Sequence, residues 1–243
     1  MKATIDLNCD LGEGTGNDLA LMPYLSSCSI ACGGHYGNQK SIKTTLTYAA
    51  KYGVKTGAHP SYYDRDNFGR RSLAISLREL QDSLRQQLDL FYSLCTQVSH
   101  VKPHGALYND LYEEKEKADA VVEVIKEYDP KAKVFCAPGS QLFHSAHARG
   151  LHPVLEGFGD RAYRPDGGLV ARQLPQAVHH QKEQITQQVL RLIQQGEVVG
   201  LKGEIIPLKV ATICLHGDGD NVVENLAFLA KTLVKNKIHV SAV

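Results

Sequence analysis

The ten residues His100-Val-Lys-Pro-His-Gly-Ala-Leu-Tyr-Asn109 concentrate side chains that can move protons and hold charge. Read as a strand running into a loop, the stretch alternates: His100, Lys102 and His104 share one face, Val101 and Pro103 the other. Three basic groups on one face make a poor core, because buried charge must be paired. A solvated edge strand is the alternative to a site. Lys102 suits the stabilisation of a carbonyl oxyanion or a phosphoryl group, or a structural ion pair with Asp10 or Glu13. His104, with an ordinary pKa of about 6.5, can transfer a proton at neutral pH or orient a substrate. Asp10 and Glu13 stand in the glycine-rich stretch Cys-Asp-Leu-Gly-Glu-Gly-Thr-Gly. Such a carboxylate pair suits a general base, a metal ligand or a contact to a substrate ammonium, or a plain surface turn. His35, His59 and His216 each sit in a further polar motif, and any one alone can be structural. The pair Arg70-Arg71, and Arg161, can clamp a carboxylate with two hydrogen bonds each, or stay solvated. The candidate catalytic set is Asp10, Glu13, Lys102 and His104; the candidate substrate-binding set is His35, His59, Arg71, Tyr108, Arg161 and His216. Asp10, His59 and His104 are candidate metal ligands, and no set commits to a metal. Ser61 lacks the strand-to-helix elbow of a hydrolase nucleophile, and no cysteine stands in a nucleophile motif.

Each motif needs an element to deliver it. Short apolar runs at Thr4–Asn8, Ser29–Cys32, Val54–Ala58, Val98–Lys102, Lys133–Ala137, Pro153–Glu156 and Val210–Leu215 are expected strands. On the first, Asp6, Asn8 and Asp10 share one face and Ile5, Leu7 and Cys9 the other. Helices are expected over Gln39–Tyr52, ended by Gly53, and from the capping box at Ser76–Glu79 to about Gln97. Others are expected over about Glu113–Tyr128, Ser140–Arg149, Gln181–Gln195 and Asn221–Asn236, with a small hairpin across Glu197–Pro207. Seven rounds of strand, polar loop and usually a helix imply a parallel sheet covered by helices. The polar motifs NCDLGE, GGH, AHPSY, KPHGALYN, DRAY and HGD each follow a strand directly. In a (β/α) barrel those carboxyl ends meet at one rim. An open doubly wound sheet would gather only those flanking its switch point, so a single-domain barrel over residues 1–243 is expected.

The bulk composition narrows the function classes. The chain has 243 residues, 43% hydrophobic and 22% charged, with a net charge of +1. That is ordinary for a globular domain and makes no electrostatic case for nucleic acid or an anionic membrane. No apolar run approaches the roughly 20 residues that cross a bilayer. The first residues, MKATIDLNCD, carry no apolar segment of secretory type. Six scattered cysteines read as reduced, buried small hydrophobes of a cytoplasmic protein. Cys28 and Cys32 lack a second pair at zinc-site spacing. Neither Gly33–Ser41, which has no glycine before its lysine, nor Gly12-Glu-Gly-Thr-Gly16 completes a nucleotide-binding motif.

Taken in order, NCDLGE, IACGGH, GAHPSY, FGRR, HVKPHGALYN, DRAY, DGGLV and TICLHGD closely resemble the LamB/YcsF family, the A subunits of the prokaryotic ATP-dependent 5-oxoprolinase, from residue 5 to about residue 236. The resemblance implies a seven-stranded, TIM-like (β/α) barrel similar to polysaccharide deacetylases. It implies opening of 5-oxoproline to L-glutamate coupled to hydrolysis of ATP, with Mg2+ accompanying the nucleotide, and two companion subunits, B and C. Homo-oligomerisation stays open. The chain departs from the family where FHAGD becomes GHYGN, which puts Asn38 in place of an acid, and where HPSYPD becomes HPSYYD. A lactam resists water. Phosphorylating its carbonyl oxygen makes the ring carbon electrophilic, a step that needs positive charge nearby and then a carboxylate to activate water. The competing readings are a stand-alone divalent-metal deacetylase or amidohydrolase and a non-catalytic binding subunit. On the 5-oxoprolinase reading, Lys102→Met should lower turnover of the complex roughly a hundredfold and leave the fold and subunit assembly intact.

Overall fold

A computed structural model describes residues 3–219 and 221–243; the first two residues of the expected domain, and Asp220, lie outside the described residues. Six strands form one curled parallel sheet. They are β1 (Thr4–Leu11), β2 (Ser27–Ala31), β3 (Lys55–His59), β4 (Lys133–Cys136), β5 (His152–Phe158) and β8 (Thr212–His216), in the order β3-β2-β1-β8-β5-β4. A short strand β9 (His239–Val240), not expected from the sequence, pairs with the start of β1. The expected hairpin is present as β6 (Glu197–Val199) against β7 (Ile205–Pro207), antiparallel and separate from the main sheet.

The expected fourth strand, Val98–Lys102, is reduced to one bridging residue. Val101 pairs with Ala58 of β3 on one side and Val134 of β4 on the other. The segment follows β3 closely: the N–H groups of Ser99, Lys102 and His104 donate to the carbonyls of Thr56, Ala58 and Pro60. Toward β4 only two bonds form, Val101 N–H to Lys133 O at 2.8 Å and Phe135 N–H to Val101 O at 3.0 Å. Pro103, with no N–H to give, ends the ladder there.

The two faces of β1 divide as the alternation predicts. Ile5, Leu7, Cys9 and Leu11 join the main apolar cluster. Asp6, Asn8 and Asp10 are also buried, but among polar partners inside the curl of the sheet. Helices cover the outer face. On α3 (Leu77–Tyr92) the residues Leu80, Leu84, Leu88 and Phe91 are buried, a stripe at helical spacing in which each side chain contributes roughly 1.5–3 kcal/mol. Its capping box is made: Ser76 Oγ accepts from Glu79 N–H at 3.2 Å, and Glu79 returns a carboxylate oxygen to Ser76 N–H at 2.8 Å. The helix stops five residues before the expected Gln97 because the chain turns Cys95 inward to Thr56. α2 (Gln39–Tyr52) ends at Gly53, φ +70°, as expected, and begins on Asn38, whose side chain accepts from Lys40 and Ser41 N–H. Asn38 therefore caps a helix, a task asparagine and aspartate share, so the departure from the family's acid leaves this turn intact.

Two helices, the first and the fourth in chain order, were not expected from the sequence. After α1 (Asp18–Leu21), α2 and α3 comes α4 (Gly105–Glu113), which starts inside the stretch expected to be a loop. The charged helix expected from Glu113 is α5 (Lys115–Tyr128), and it is followed by α6 (Gln141–Ala148), α7 (Lys182–Gln195) and α8 (Val222–Lys235).

Candidate functional site

Asp10 and Glu13 come from the end of β1 and its loop, His35 from the loop after β2, and His59 from the end of β3. Lys102 and His104 come from the bridging segment, Tyr108 from α4, Arg161 from the loop after β5, and His216 from the end of β8. Eight of these candidates, including Arg71 from the loop before α3, line one cavity of about 500 Å3. Glu13 and His35 do not line it; they are buried against His59 and His104.

Lys102 is not a free cation in this cavity. Its Nζ donates to Asp10 Oδ1 at 2.9 Å and stands 2.9 Å from Glu156 Oε1, and the residue is 1% exposed. Asn8 Nδ2 donates to the same Glu156 oxygen at 3.0 Å. Burial works against the ammonium, but Asp10, then Cys214 and Glu156, outweigh it and hold the Lys102 pKa well above the usual lysine range. Burial likewise pushes Asp10 up, yet His59 and Lys102 overcome it and keep the carboxyl well below its ordinary value. Asp10 is thus a fixed, ionised carboxylate at the cavity wall. Glu13 is its opposite: burial, with the Asp10 charge second, raises it to about 7.

Behind the wall lies a compact group of three imidazoles and one carboxylate. Glu13, His35, His59 and His104 each offer a ligand atom, all within 4.8 Å of one another. Of the three candidate metal ligands, His59 and His104 belong to this group. Asp10 stands at its edge, Oδ2 3.4 Å from His59 Nε2. Burial, with His59 or His35 second, holds the His35 and His104 rings well below the usual histidine pKa, so both are neutral. A donor set this rich in nitrogen does not suit Mg2+, which takes oxygen ligands.

The far wall is cationic. Arg161 gives Nε to Ala177 O and Nη2 to Val170 O and still lines the cavity. Arg70 and Arg172, also in the wall, both pair with Asp218. Arg71 is exposed and makes no ion pair among the described residues. His216 Nδ1 lies 2.9 Å from Asp160, which also accepts the His216 N–H. Burial raises Asp160, but His216 outweighs that and draws it down to about 2. The buried Tyr108 O–H has no hydrogen-bond partner among the described residues, and neither has Glu156 Oε2.

Sequence reasoning passed over Glu156, Asp160 and Arg172. Glu156 carried a usable signal, a lone acid inside the apolar run Pro-Val-Leu-Glu. Asp160 opens the DRAY motif. Arg172 had none, because nothing local distinguishes it from a solvated arginine.

The LamB/YcsF family model matches residues 5–243 of this chain. A Neisseria meningitidis protein (serogroup A, strain Z2491), named as the A subunit of 5-oxoprolinase, is 39% identical over 98% of this chain and 99% of its own length. A crystal structure of a lactam utilization protein from Thermus thermophilus superposes with a TM-score of 0.91 at 32% identity, covering 99% of this chain and 100% of that one. A peptidoglycan deacetylase of Bacillus subtilis, at 13% identity and a TM-score of 0.52 over 100% of this chain and 88% of its own, shares the fold alone.

Proposed function

The chain belongs to the LamB/YcsF family, and from that premise we propose that it is the A subunit of an ATP-dependent 5-oxoprolinase, opening 5-oxoproline to L-glutamate with ATP hydrolysed to ADP and phosphate. The observation that carries this is the near full-length match to a relative of that name. We further propose that Val101 counts as the seventh stave of a TIM-like barrel, that the enzyme works in the cytoplasm, and that companion subunits B and C complete it.

The cavity chemistry supports the reading. 5-Oxoproline is a small ring amide bearing one carboxylate. Arg71 and Arg161 offer guanidinium groups for that carboxylate, and Tyr108 lines the cavity beside them with its hydroxyl buried toward Glu156. Asp10 is ionised at neutral pH and borders the cavity, the state a general base requires. Lys102 serves as a positioning residue: its Nζ holds Asp10 ionised and oriented instead of meeting the phosphoryl group directly. His216, oriented by Asp160, is placed to exchange a proton at the cavity wall.

The test is glutamate release from 5-oxoproline by the chain alone and with its companion subunits, each with and without ATP. Release that requires ATP and the companions supports the reading. ATP-independent cleavage of an acetamido sugar by the isolated chain would replace it with the deacetylase.

A further inference from the structure

We propose that Glu13, His35, His59 and His104 form a binding site for one divalent transition-metal ion of the Zn2+ class, set in the wall behind the cavity. Two backbone carbonyls fix the protonation of the rings. His59 Nδ1 lies 2.7 Å from Lys102 O, and His104 Nε2 lies 2.9 Å from Phe68 O. A carbonyl only accepts, so each of these nitrogens carries the ring proton. The other two nitrogens, His59 Nε2 and His104 Nδ1, face each other 3.0 Å apart. At that distance the two buried nitrogens need either a shared proton or a metal ion to satisfy both.

The rest of the group completes a coordination shell. Glu13 Oε1 is 2.9 Å from His35 Nε2, 3.5 Å from His104 Nδ1 and 4.0 Å from His59 Nε2. Ligands about 2.0–2.1 Å from a tetrahedral Zn2+ are separated from one another by about 3.3 Å. The separations of 2.9, 3.0, 3.5 and 4.0 Å straddle that value, and the His35 ring, stacked on His104 at 3.6 Å, would turn to bring its lone pair onto the same ion. Imidazoles that give their second N–H to backbone carbonyls are the usual outer support of metal-bound histidine. Three imidazoles and one carboxylate favour Zn2+, or Fe2+, Co2+ or Ni2+, over Mg2+ and Ca2+. His59 and His104 also line the cavity, which provides an entry path.

The ion site stands independently of the 5-oxoproline reading, and its test needs neither companion subunits nor substrate. The purified full chain is stripped with chelator, dialysed against Zn2+ and assayed for metal by mass spectrometry. We expect about one tightly held equivalent, not displaced by excess Mg2+. We also expect a Tm rise of roughly 5–10 °C at a hundredfold excess of Zn2+ over its Kd. His104→Gln and Glu13→Gln should each weaken binding at least tenfold, with circular dichroism confirming the fold. The wild-type chain loaded with Co2+ should show visible bands of imidazole ligation, a readout that needs no variant. Sub-stoichiometric Zn2+ after dialysis, equal binding by wild type and variants, or a Co2+ spectrum without imidazole bands would each overturn the proposal.

Discussion

At the scale of single residues, Lys102 is where the structure most changes the expectation. Read from sequence, Lys102→Met should lower turnover and spare the fold. With Nζ buried between Asp10 and Glu156, methionine would leave two carboxylates facing each other without a cation. Breaking a buried pair from one side costs about 3–5 kcal/mol. We therefore expect Lys102→Met to lose stability on that scale in urea denaturation as well as turnover; an unchanged midpoint would mean that the ammonium is not held as described. His100 gives a second expectation. It is buried, stacks on Phe135 and lies 3.0 Å from Ser29 Oγ. Burial, with Lys102 second, pushes its pKa from the ordinary 6.5 down to about 3. Between those values the unfolded chain takes a proton that the folded chain refuses, so stability is full above about pH 6.5 and falls as pH drops toward 3. His100→Gln, which keeps a partner for Ser29, should flatten this acid limb, a change on the order of a few kcal/mol by about pH 4. Parallel stability–pH curves for variant and wild type would refute the assignment.

At the scale of elements, the loop Phe68-Gly-Arg-Arg71 aims the site. Phe68 (φ +55°) and Gly69 (φ +62°) are both left-handed, which turns the Phe68 carbonyl onto His104 Nε2. A Cβ on Gly69 would lie 2.8 Å from His35 Cβ and 3.0 Å from the His104 ring. Gly69→Ala should cost about 1–3 kcal/mol and at least a tenfold loss of turnover as both rings shift. Ser76→Ala, which removes only the cap of α3, should cost about 1 kcal/mol and leave turnover unchanged; kinetics and thermal melts of the two variants separate aim from stability. The same contrast explains what could be read beforehand. The α3 cap, the Gly53 stop and the polar face of β1 follow local rules of spacing and side-chain chemistry, and all stand in the structure. The helix α4 was missed because its start, Gly105 at φ +57°, is dictated by a distant contact: a Cβ there would meet Gly69 O at 2.6 Å. The partners of Lys102 were equally hidden, since Glu156 reaches it from another strand.

At the scale of the whole molecule, the rim works only if the curled sheet holds β3 and β4 around the interior, and Val101 alone joins them. On the β1–β8 side of the sheet, five residue pairs stand in register. At the Val101–β4 seam there is one bridge, with two hydrogen bonds of 2.8 and 3.0 Å. Val101 is fully buried, so apolar contact and not the ladder keeps the seam shut. Each hydrogen bond contributes only about 0.5–1.5 kcal/mol net, and local openings occur where such support is thinnest. The Val101 and Phe135 amides should therefore exchange with solvent through an opening at least ~2 kcal/mol below global unfolding. Amides at the centre of β1, such as Leu7 and Asn8, should exchange only through global unfolding. Lys102 and His104 leave the seam on one side and Glu156 stands beyond β4 on the other, so an opening there would loosen the Lys102 pairing and the aim of His104 together. Native-state hydrogen exchange across a denaturant series measures both sets of amides at once. If Val101 and Phe135 merge with the β1 amides at every denaturant concentration, the seam is as strong as the rest of the sheet, and the site is held by a uniformly rigid sheet.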